Sequence, residues 1–133
     1  MYLSKDEKWK ILLLDDFPPT VAAVRLVLES YKDVEVVAEA KEVQEALRFV
    51  AGHHLHVVIV GLNMPGMNAI QVAKHLKNRW LETVIVGISL MNDPYMTKAF
   101  LKAETAAVVP KSEIFTELYP TIKRACSSLY ALG

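Results

Sequence analysis

The most regular feature of the chain is the recurrence of short apolar segments of strand length. Polar residues hardly interrupt them, whereas a half-exposed strand would alternate apolar and polar positions. Continuous runs rich in valine and isoleucine are typical of parallel strands whose two faces are both covered by helices. The segments are Ile11 to Leu14, Val34 to Ala38, Val57 to Val60, Val84 to Ile88 and Ala106 to Val109.

Segments with helical periodicity lie between these predicted strands. Their apolar residues recur three or four positions apart, as on the buried face of an amphipathic helix. Strand and helix alternate five times, which predicts an α/β fold: a flavodoxin-like (βα)5 doubly wound parallel sheet with strand order 2-1-3-4-5. The clearest stripes are Val21, Val24, Leu28 and Tyr31 in the first helix, and Val43, Leu47 and Val50 in the second.

Capping residues and prolines indicate where the helices begin and end. Asn92-Asp93-Pro94 predicts the start of the fourth helix, Asn68 the N-cap of the third, and Gly52 the end of the second. Pro120 interrupts the last helical segment, and because proline has no backbone N–H we expect it in the first turn or at a kink. The regular part of this helix is accordingly predicted after about Thr116.

Length and charge limit the classes of function. The 133 residues, 53% of them hydrophobic, suffice for one domain, with residues 1–8 as a loose N-terminal extension. The 15 basic and 15 acidic side chains cancel, so binding to nucleic acids or anionic membranes is not expected, and partners are expected to be proteins. One cysteine, Cys126, cannot form a disulfide framework, and we expect it to be buried or half-buried. No segment resembles a signal peptide or a membrane span, which predicts a cytoplasmic protein.

Residues that carry chemistry follow the predicted strands at one end of the sheet. In an open α/β sheet, ligands bind at the carboxyl ends of the strands, next to the point where the strand order reverses. Asp15-Asp16 follow the first strand, Ser89 ends the fourth, and Lys111 follows the fifth. The third strand runs into the turn Gly61-Leu62-Asn63-Met64-Pro65-Gly66-Met67.

An acidic pair, an L-x-M-P-G-M turn, a hydroxyl and a lysine at four strand ends resemble the receiver domain of two-component response regulators. The resemblance covers nearly the whole chain, and DDFPPTVAAVRLVLES, DVEVVAEAKEVQEAL and LNMPGMNAIQVAKHLK resemble the receivers of LuxR-type regulators in particular. It implies an aspartate after the third strand that accepts a phosphoryl group, beside a bound Mg²⁺. By motif position it assigns Asp15, Asp16 and the carbonyl of Asn63 to the metal, Ser89 to the switch hydroxyl, and Lys111 to the lysine that binds the phosphoryl group.

Gly61 occupies the position of the acceptor aspartate. Glycine has no nucleophile, so a phospho-aspartate cannot form there, and we expect no catalytic residue and no enzymatic activity. With the third carboxylate missing, we expect Asp15 and Asp16 to form an ion pair with Lys111, leaving at most weak binding of Mg²⁺. The hydroxyl of Ser89 is then expected to bond to the backbone.

Other departures from the family pattern lie nearby. Val108 replaces an aromatic residue, and Pro110 precedes the lysine inside the fifth strand, where it is tolerated only if that strand is an edge. His53, His54 and His56 cluster before the third strand, and without cysteine or carboxylate ligands at suitable spacing we expect them to be solvated rather than to bind a metal.

The resemblance also implies a partner face on the fourth helix, the fifth strand and the start of the fifth helix. Because Met96 and Phe100 share one helical stripe, part of this set is expected in the core. The candidates are Tyr95, Met96, Phe100, Val108 and Tyr119.

The first functional hypothesis is a protein-binding module that is not phosphorylated and acts as a homodimer or with another signalling protein. One alternative is a small-ligand sensor whose crevice is lined by Asp16, Ser89 and Lys111 and accepts a metabolite or an anion. Another is the input half of a LuxR-type transcription factor whose acceptor aspartate was substituted at Gly61.

Overall fold

The computed structural model describes residues 7–79, 82–90 and 93–129. Within these ranges five strands and five helices alternate, and a short 3₁₀ turn, Lys111–Glu113, precedes the last helix. The strands are β1 Trp9–Leu14, β2 Val34–Ala40, β3 Val57–Gly61, β4 Val84–Ser89 and β5 Ala107–Pro110. The helices are α1 Pro18–Leu28, α2 Val43–Gly52, α3 Ala69–Arg79, α4 Pro94–Leu101 and α5 Ile114–Leu129.

All strand pairs are parallel, and the sheet has the order β2-β1-β3-β4-β5, which confirms the predicted flavodoxin-like topology. Residues 1–6 of the predicted extension, and Asn92 of the predicted helix start, lie outside the described residues. No helix in the described ranges is long and apolar enough to span a bilayer.

Two apolar cores, one on each face of the sheet, explain the uninterrupted apolar strands. Ile11 and Leu13 of β1 face a core completed by α1 and α5, whereas Leu12 and Leu14 face one completed by α2, α3 and α4. Every residue of β3 and β4 is buried, and the edge strand β2 is only partly buried. Cys126 belongs to the first core, where burial raises the pKa of its thiol to about 12, so its predicted burial is confirmed.

The assignment of Phe100 to the predicted partner face is wrong, because its side chain is fully buried. The ring packs where β4 carries Gly87: a Cβ at position 87 would lie 2.9 Å from Cε2 of Phe100 and 2.9 Å from Cδ2 of Leu62. The absence of a side chain at Gly87 is thus what lets the Phe100 ring approach the sheet, and Phe100 is a core residue that a partner cannot reach.

Side-chain caps begin two helices where the sequence predicts them. Asp93 accepts a hydrogen bond from the N–H of Met96 (3.1 Å) at the start of α4. Oδ1 of Asn68 accepts hydrogen bonds from the N–H groups of Ile70 (3.1 Å) and Gln71 (3.2 Å) at the start of α3. These bonds satisfy donors that have no partner within the helix.

The last helix differs from its prediction, because α5 begins at Ile114 and Pro120 lies inside it. A proline there removes one hydrogen bond, the one to the carbonyl of Thr116. Both residues are exposed, and the helix is held from its opposite side by a buried stripe four residues apart: Ile114, Leu118, Ile122 and Cys126. Packing of this stripe against the sheet outweighs the local cost of the proline.

Pro110 ends β5, and among the described strands β5 pairs only with β4. The fifth strand is therefore an edge, as its proline requires.

Candidate functional site

A crevice of about 290 Å³ opens at the carboxyl ends of β1, β3 and β4. It lies next to β1 and β3, where the strand order reverses, which is the usual ligand position in this architecture. Its polar lining comes from Asp15, Asp16, Thr20 and Asn63, and Gly61 lies among them. The strand-end residues that the sequence singled out on β1 and β3 are thus brought together.

The carboxylate of Asp15 fills the space in which a side chain at Gly61 would begin. A Cβ at position 61 would lie 2.9 Å from Cγ of Asp15 and closer still to its Oδ2. The carboxylate is held by the N–H of Phe17, which donates to Oδ1 at 2.8 Å. The crevice therefore contains a carboxylate from β1 where the predicted acceptor would project from β3.

The two acidic residues differ in environment. Asp15 is buried, and burial raises the pKa of its carboxyl group; the N–H of Phe17 and the charge of Lys111 lower it, while the charge of Asp16 raises it further. Asp16 is exposed, and its carboxylate has no hydrogen bond or ion pair within the described ranges. Asp15 is thus a partly satisfied buried acid beside a solvated one.

Lys111 does not form the predicted ion pair. Its ammonium group lies over the ring of Phe17, 4.2 Å from the ring centroid. The ion pairs between described residues join other side chains, and the charge of Lys111 acts on Asp15 only across space. The lysine makes a cation–π contact instead, because the aromatic ring of Phe17 directly follows the acidic pair in the sequence.

Ser89 is buried at the end of β4, as predicted, but its hydroxyl makes no hydrogen bond to any described residue. The expected bond to the backbone is therefore wrong. Neither Ser89 nor Lys111 lines the crevice, so the predicted ligand pocket of Asp16, Ser89 and Lys111 is not formed.

Asn63 joins two loops at the mouth of the crevice. Its Oδ1 accepts a hydrogen bond from the N–H of Leu90 at 2.9 Å, linking the loop after β3 to the loop after β4. The side-chain oxygen of Asn63 is thereby committed to the backbone.

The donor set does not fit a Mg²⁺ ion. Magnesium prefers octahedral oxygen ligands with carboxylates among them, and here Gly61 supplies no side-chain oxygen. One oxygen of Asp15 is already bonded to Phe17, and the described residues contain no group of three acidic, histidine or cysteine side chains placed to hold a metal. The charged ligands that the crevice lining offers are two carboxylates of unequal burial.

Sequence reasoning missed three residues of the crevice, Phe17, Thr20 and Leu90. Thr20 is only 2% exposed, and its hydroxyl has no hydrogen-bond partner in the part of the chain that the structure describes. The sequence contained a signal for Phe17 and Thr20. A helix that begins at Pro18, just after the acidic pair at the end of a strand, places its first turn beside that strand end.

Comparison with known families gives a match to the response regulator receiver domain over residues 11–123, which include every residue of the crevice. The chain belongs to this family. The receiver domain is 31% identical over 114 residues to the DNA-binding transcriptional activator EvgA of Escherichia coli K12, covering 86% of this chain and 55% of EvgA. It is 30% identical over 90 residues to the nitrate/nitrite response regulator NarL of the same strain, covering 68% of this chain and 42% of NarL.

The receiver domain spans about half the length of the curated relatives it matches. Among solved structures, the signal receiver domain of NarL from Mycobacterium tuberculosis has a TM-score of 0.76 and 28% identity, covering 88% of this chain and 98% of that one. A LuxR-family response regulator from Aurantimonas sp. SI85-9A1 shares the fold, with a TM-score of 0.84 at 24% identity, covering 92% of this chain and 87% of that one. The domain therefore has the receiver fold of these structures.

The histidine cluster lies at the opposite end of the sheet and needs a correction. His56 is buried rather than solvated, and its Nδ1 accepts a hydrogen bond from the backbone N–H of Lys10 at 2.9 Å. His53 and His54 are exposed; His53 stacks on Phe49 with ring centroids 3.9 Å apart. His56 thus connects the ends of β1 and β3.

We expect the free energy of unfolding of the receiver domain to decrease as the pH is lowered, because of His56. Burial lowers the pKa of His56 below 6.5, and the charges of His54 and Lys10 lower it further, against the opposing charge of Glu7. The unfolded chain therefore takes up a proton more readily than the folded one. The contribution of neutral His56 to the free energy of unfolding is therefore complete above about pH 6.5. It is lost as the pH falls through the lower pKa of the folded state.

Urea unfolding of His56→Asn between about pH 7.5 and about pH 5.5 tests this, since asparagine retains an acceptor for Lys10 but does not titrate. The free energy of unfolding of the variant should depend less on pH than that of the wild type. His75→Gln, at an exposed histidine of α3, is the matched control for the removal of one imidazole. Equal slopes for His56→Asn and the wild type would exclude His56 as the titrating group.

The structure separates the other predicted partner-face residues. Tyr95 is 85% exposed, and Met96 and Val108 are half-buried against the second core. Tyr119 is instead engaged internally: its ring stacks on Tyr31 with centroids 3.5 Å apart, and its hydroxyl donates to Asp33 at 2.7 Å. Tyr119 therefore connects α5 to the segment before β2 and does not belong with Tyr95.

Proposed function

We propose that this receiver domain acts in two-component signalling through protein contact and does not form an acyl phosphate. The observation that carries the proposal is Gly61, at the buried end of β3, with the carboxylate of Asp15 in the space of the missing side chain. Phosphotransfer needs a carboxylate oxygen within about 3 to 3.5 Å of phosphorus and in line with its leaving group. Position 61 provides no such oxygen.

Asp15 is a poor substitute for the acceptor. One of its oxygens accepts the N–H of Phe17, and burial raises the pKa of its carboxyl group, which disfavours the ionised form needed for attack. Lys111 lies over Phe17 and is not placed in the crevice to bind a phosphoryl oxygen. Since phosphorylation cannot bias this domain, its conformation is fixed or set by a partner.

The proposal is tested by exposing the wild-type chain to acetyl phosphate and Mg²⁺ and measuring its intact mass. We expect no mass increase by a phosphoryl group. A covalent phosphoryl group on any crevice residue, Asp15 included, would contradict the proposal.

We place the partner contact on the exposed side of α4, around Tyr95, with the edges of Met96 and Val108 beside it. Exposed aromatic and methionine side chains are enriched in protein interfaces. Tyr95→Glu should weaken binding, measured by sedimentation for self-association or by affinity capture of a defined signalling partner. Leu26→Glu, at a 66% exposed position on α1, is the matched control and should bind like the wild type. Equal binding by all three proteins would remove α4 from the interface.

A further inference from the structure

The helix α4 carries a second stripe of residues on the side away from the core. Its core side is formed by Phe100, with Met96 half-buried beside it. Pro94, Lys98 and Leu101 recur three or four positions apart on the opposite side, and all three are exposed. The solvent side of an amphipathic helix is normally polar. The outward side of α4 contains apolar residues as well, which is the pattern of a helix that packs on both sides.

A shallow groove of about 590 Å³ runs along this outward side. Leu101 is 42% exposed, and Tyr95, which precedes Lys98 and Lys102 by three and seven positions on the same side, is 85% exposed. Contiguous exposed apolar surface marks a site of contact with another macromolecule. The lining, called the α4 groove below, consists of Pro94, Thr97, Lys98, Leu101 and Lys102.

The positive charge of the α4 groove is not balanced by nearby carboxylates. Lys98 and Lys102 lie one helical turn apart, and the groove lining contains no acidic residue. Neither ammonium group forms an ion pair or a hydrogen bond with a described residue. Asp93 caps the backbone at the start of α4, and the charge of Glu104, beyond its end, acts on Lys77 of α3. Like charges at this spacing repel each other, so an acidic partner would relieve the repulsion.

We propose that the α4 groove binds an acidic amphipathic helix of a partner protein. Carboxylates of that helix pair with Lys98 and Lys102, and its apolar residues contact Leu101 and Tyr95. The lining extends over two turns of α4 at the spacing by which a second helix is anchored alongside. The inference rests on the proposed function, because it names the chemistry of the partner that contacts α4.

Two simpler explanations of the groove account for less. Lysines in the last turn of a helix interact favourably with its dipole, but that role does not require Leu101 and Tyr95 to be exposed. A helix that lies on a membrane inserts its apolar face into the lipid, whereas the apolar face of α4 packs on the core through Phe100 and Met96. A protein helix therefore fits the outward side best.

The experiment measures binding of fluorescein-labelled peptides to the full chain by fluorescence anisotropy. The probe is an amphipathic peptide of about 12 residues in which pairs of glutamates alternate with pairs of leucines, enough for about three helical turns. Glutamine replaces every glutamate in the matched control peptide, which keeps the shape and removes the charge. Lysine replaces every glutamate in a second control.

We expect saturable binding of the glutamate peptide at concentrations of the chain up to about 1 mM, with shifts of the backbone amide NMR signals of α4. The glutamine peptide should bind at least about tenfold more weakly, and the lysine peptide should not bind, because like charges face each other. Raising the salt concentration from about 0.05 M to about 0.5 M should weaken binding of the glutamate peptide.

Two variants test the assigned contacts, and both should fold because the replaced side chains are exposed. Lys102→Gln should weaken binding of the glutamate peptide by about two- to fivefold, the effect of losing one exposed ion pair. Leu101→Ser should weaken binding of the glutamate and glutamine peptides alike. Lys41→Gln is the matched control, since it removes the same charge from an exposed lysine just after β2, the edge strand furthest from β5. It should bind like the wild type.

The inference is overturned if the glutamate peptide does not bind, if the glutamine peptide binds equally, or if Lys102→Gln binds like the wild type. Two other occupants would also overturn it. Dimerisation in sedimentation, without peptide binding and abolished by Lys102→Gln, would assign the groove to a second copy. Binding to phosphatidylglycerol vesicles with the same two properties would assign it to a membrane.

Failure of the proposed function is recognised separately. It is shown by a phosphoryl group on the wild-type chain, and the peptide titrations contain no phosphodonor. If the glutamate and glutamine peptides bound equally and both shifted the signals of α4, the helix would remain the interface and only its acidic partner would be excluded.

Discussion

Gly61→Asp is expected to gain a phosphoryl group from acetyl phosphate and Mg²⁺ under conditions in which the wild type stays unmodified. The substitution supplies a nucleophilic oxygen at the end of β3 and adds a third carboxylate to Asp15 and Asp16 for the metal. Space must be made, because a Cβ at position 61 lies 2.9 Å from Cγ of Asp15. The Asp15 carboxylate is the far end of a side chain and can rotate away, losing its bond to Phe17 at a cost of about 1 to 2 kcal/mol.

Intact mass and peptide mapping measure the outcome, and Gly61→Asn is the matched control. Asparagine has the shape of aspartate and displaces Asp15 equally, but its amide does not attack phosphorus. Labelling at position 61 in the aspartate variant alone would show that one missing side chain is the defect. Absence of labelling in Gly61→Asp would mean that the scaffold has lost more than its acceptor.

Phe100→Ala is expected to lower the free energy of unfolding by about 3 to 5 kcal/mol, a large part of the stability of a domain this size. Its ring is fully buried and packs into the space left by Gly87, with Leu62 beside it. The neighbouring strand β4 is paired on both sides, with β3 and β5, so we expect it to move little into the cavity and little of the cost to be recovered.

Urea unfolding of the two α4 variants Phe100→Ala and Tyr95→Ala gives the comparison. Tyr95 is 85% exposed, so its truncation should change the free energy of unfolding by less than about 0.5 kcal/mol. If the two variants lost similar stability, Phe100 would not be the core residue of α4 described above.

The fold could be predicted because strands that are buried on both faces of the sheet have uninterrupted apolar sequences. β3 and β4 are buried at every position, and a run such as Val57–Gly61 is incompatible with a half-exposed strand. The start of α5 could not be predicted from Pro120, since the proline rule is local. Whether the helix survives depends on a buried stripe whose packing partners lie far away in sequence.

The candidate site was predicted in position but not in detail. Backbone topology fixes which strand ends meet, so Asp15, Asp16 and Gly61 were found. The topology does not specify the contacts that orient a long side chain. The ammonium group of Lys111 lies over the ring of Phe17 and not beside the carboxylates. His56 was misjudged for a related reason: polar residues before a strand are usually solvated, but this one accepts a bond from Lys10.

The hydrogen bond from Leu90 to Asn63 has a practical consequence. The amide of Leu90 lies beyond the end of β4 and is bonded to a side chain across the crevice mouth rather than to a neighbouring strand. Its exchange with deuterated solvent therefore requires only that the two loops separate. Amides inside β4 exchange only when a larger part of the sheet unfolds. A single backbone proton thus reports how often the crevice opens.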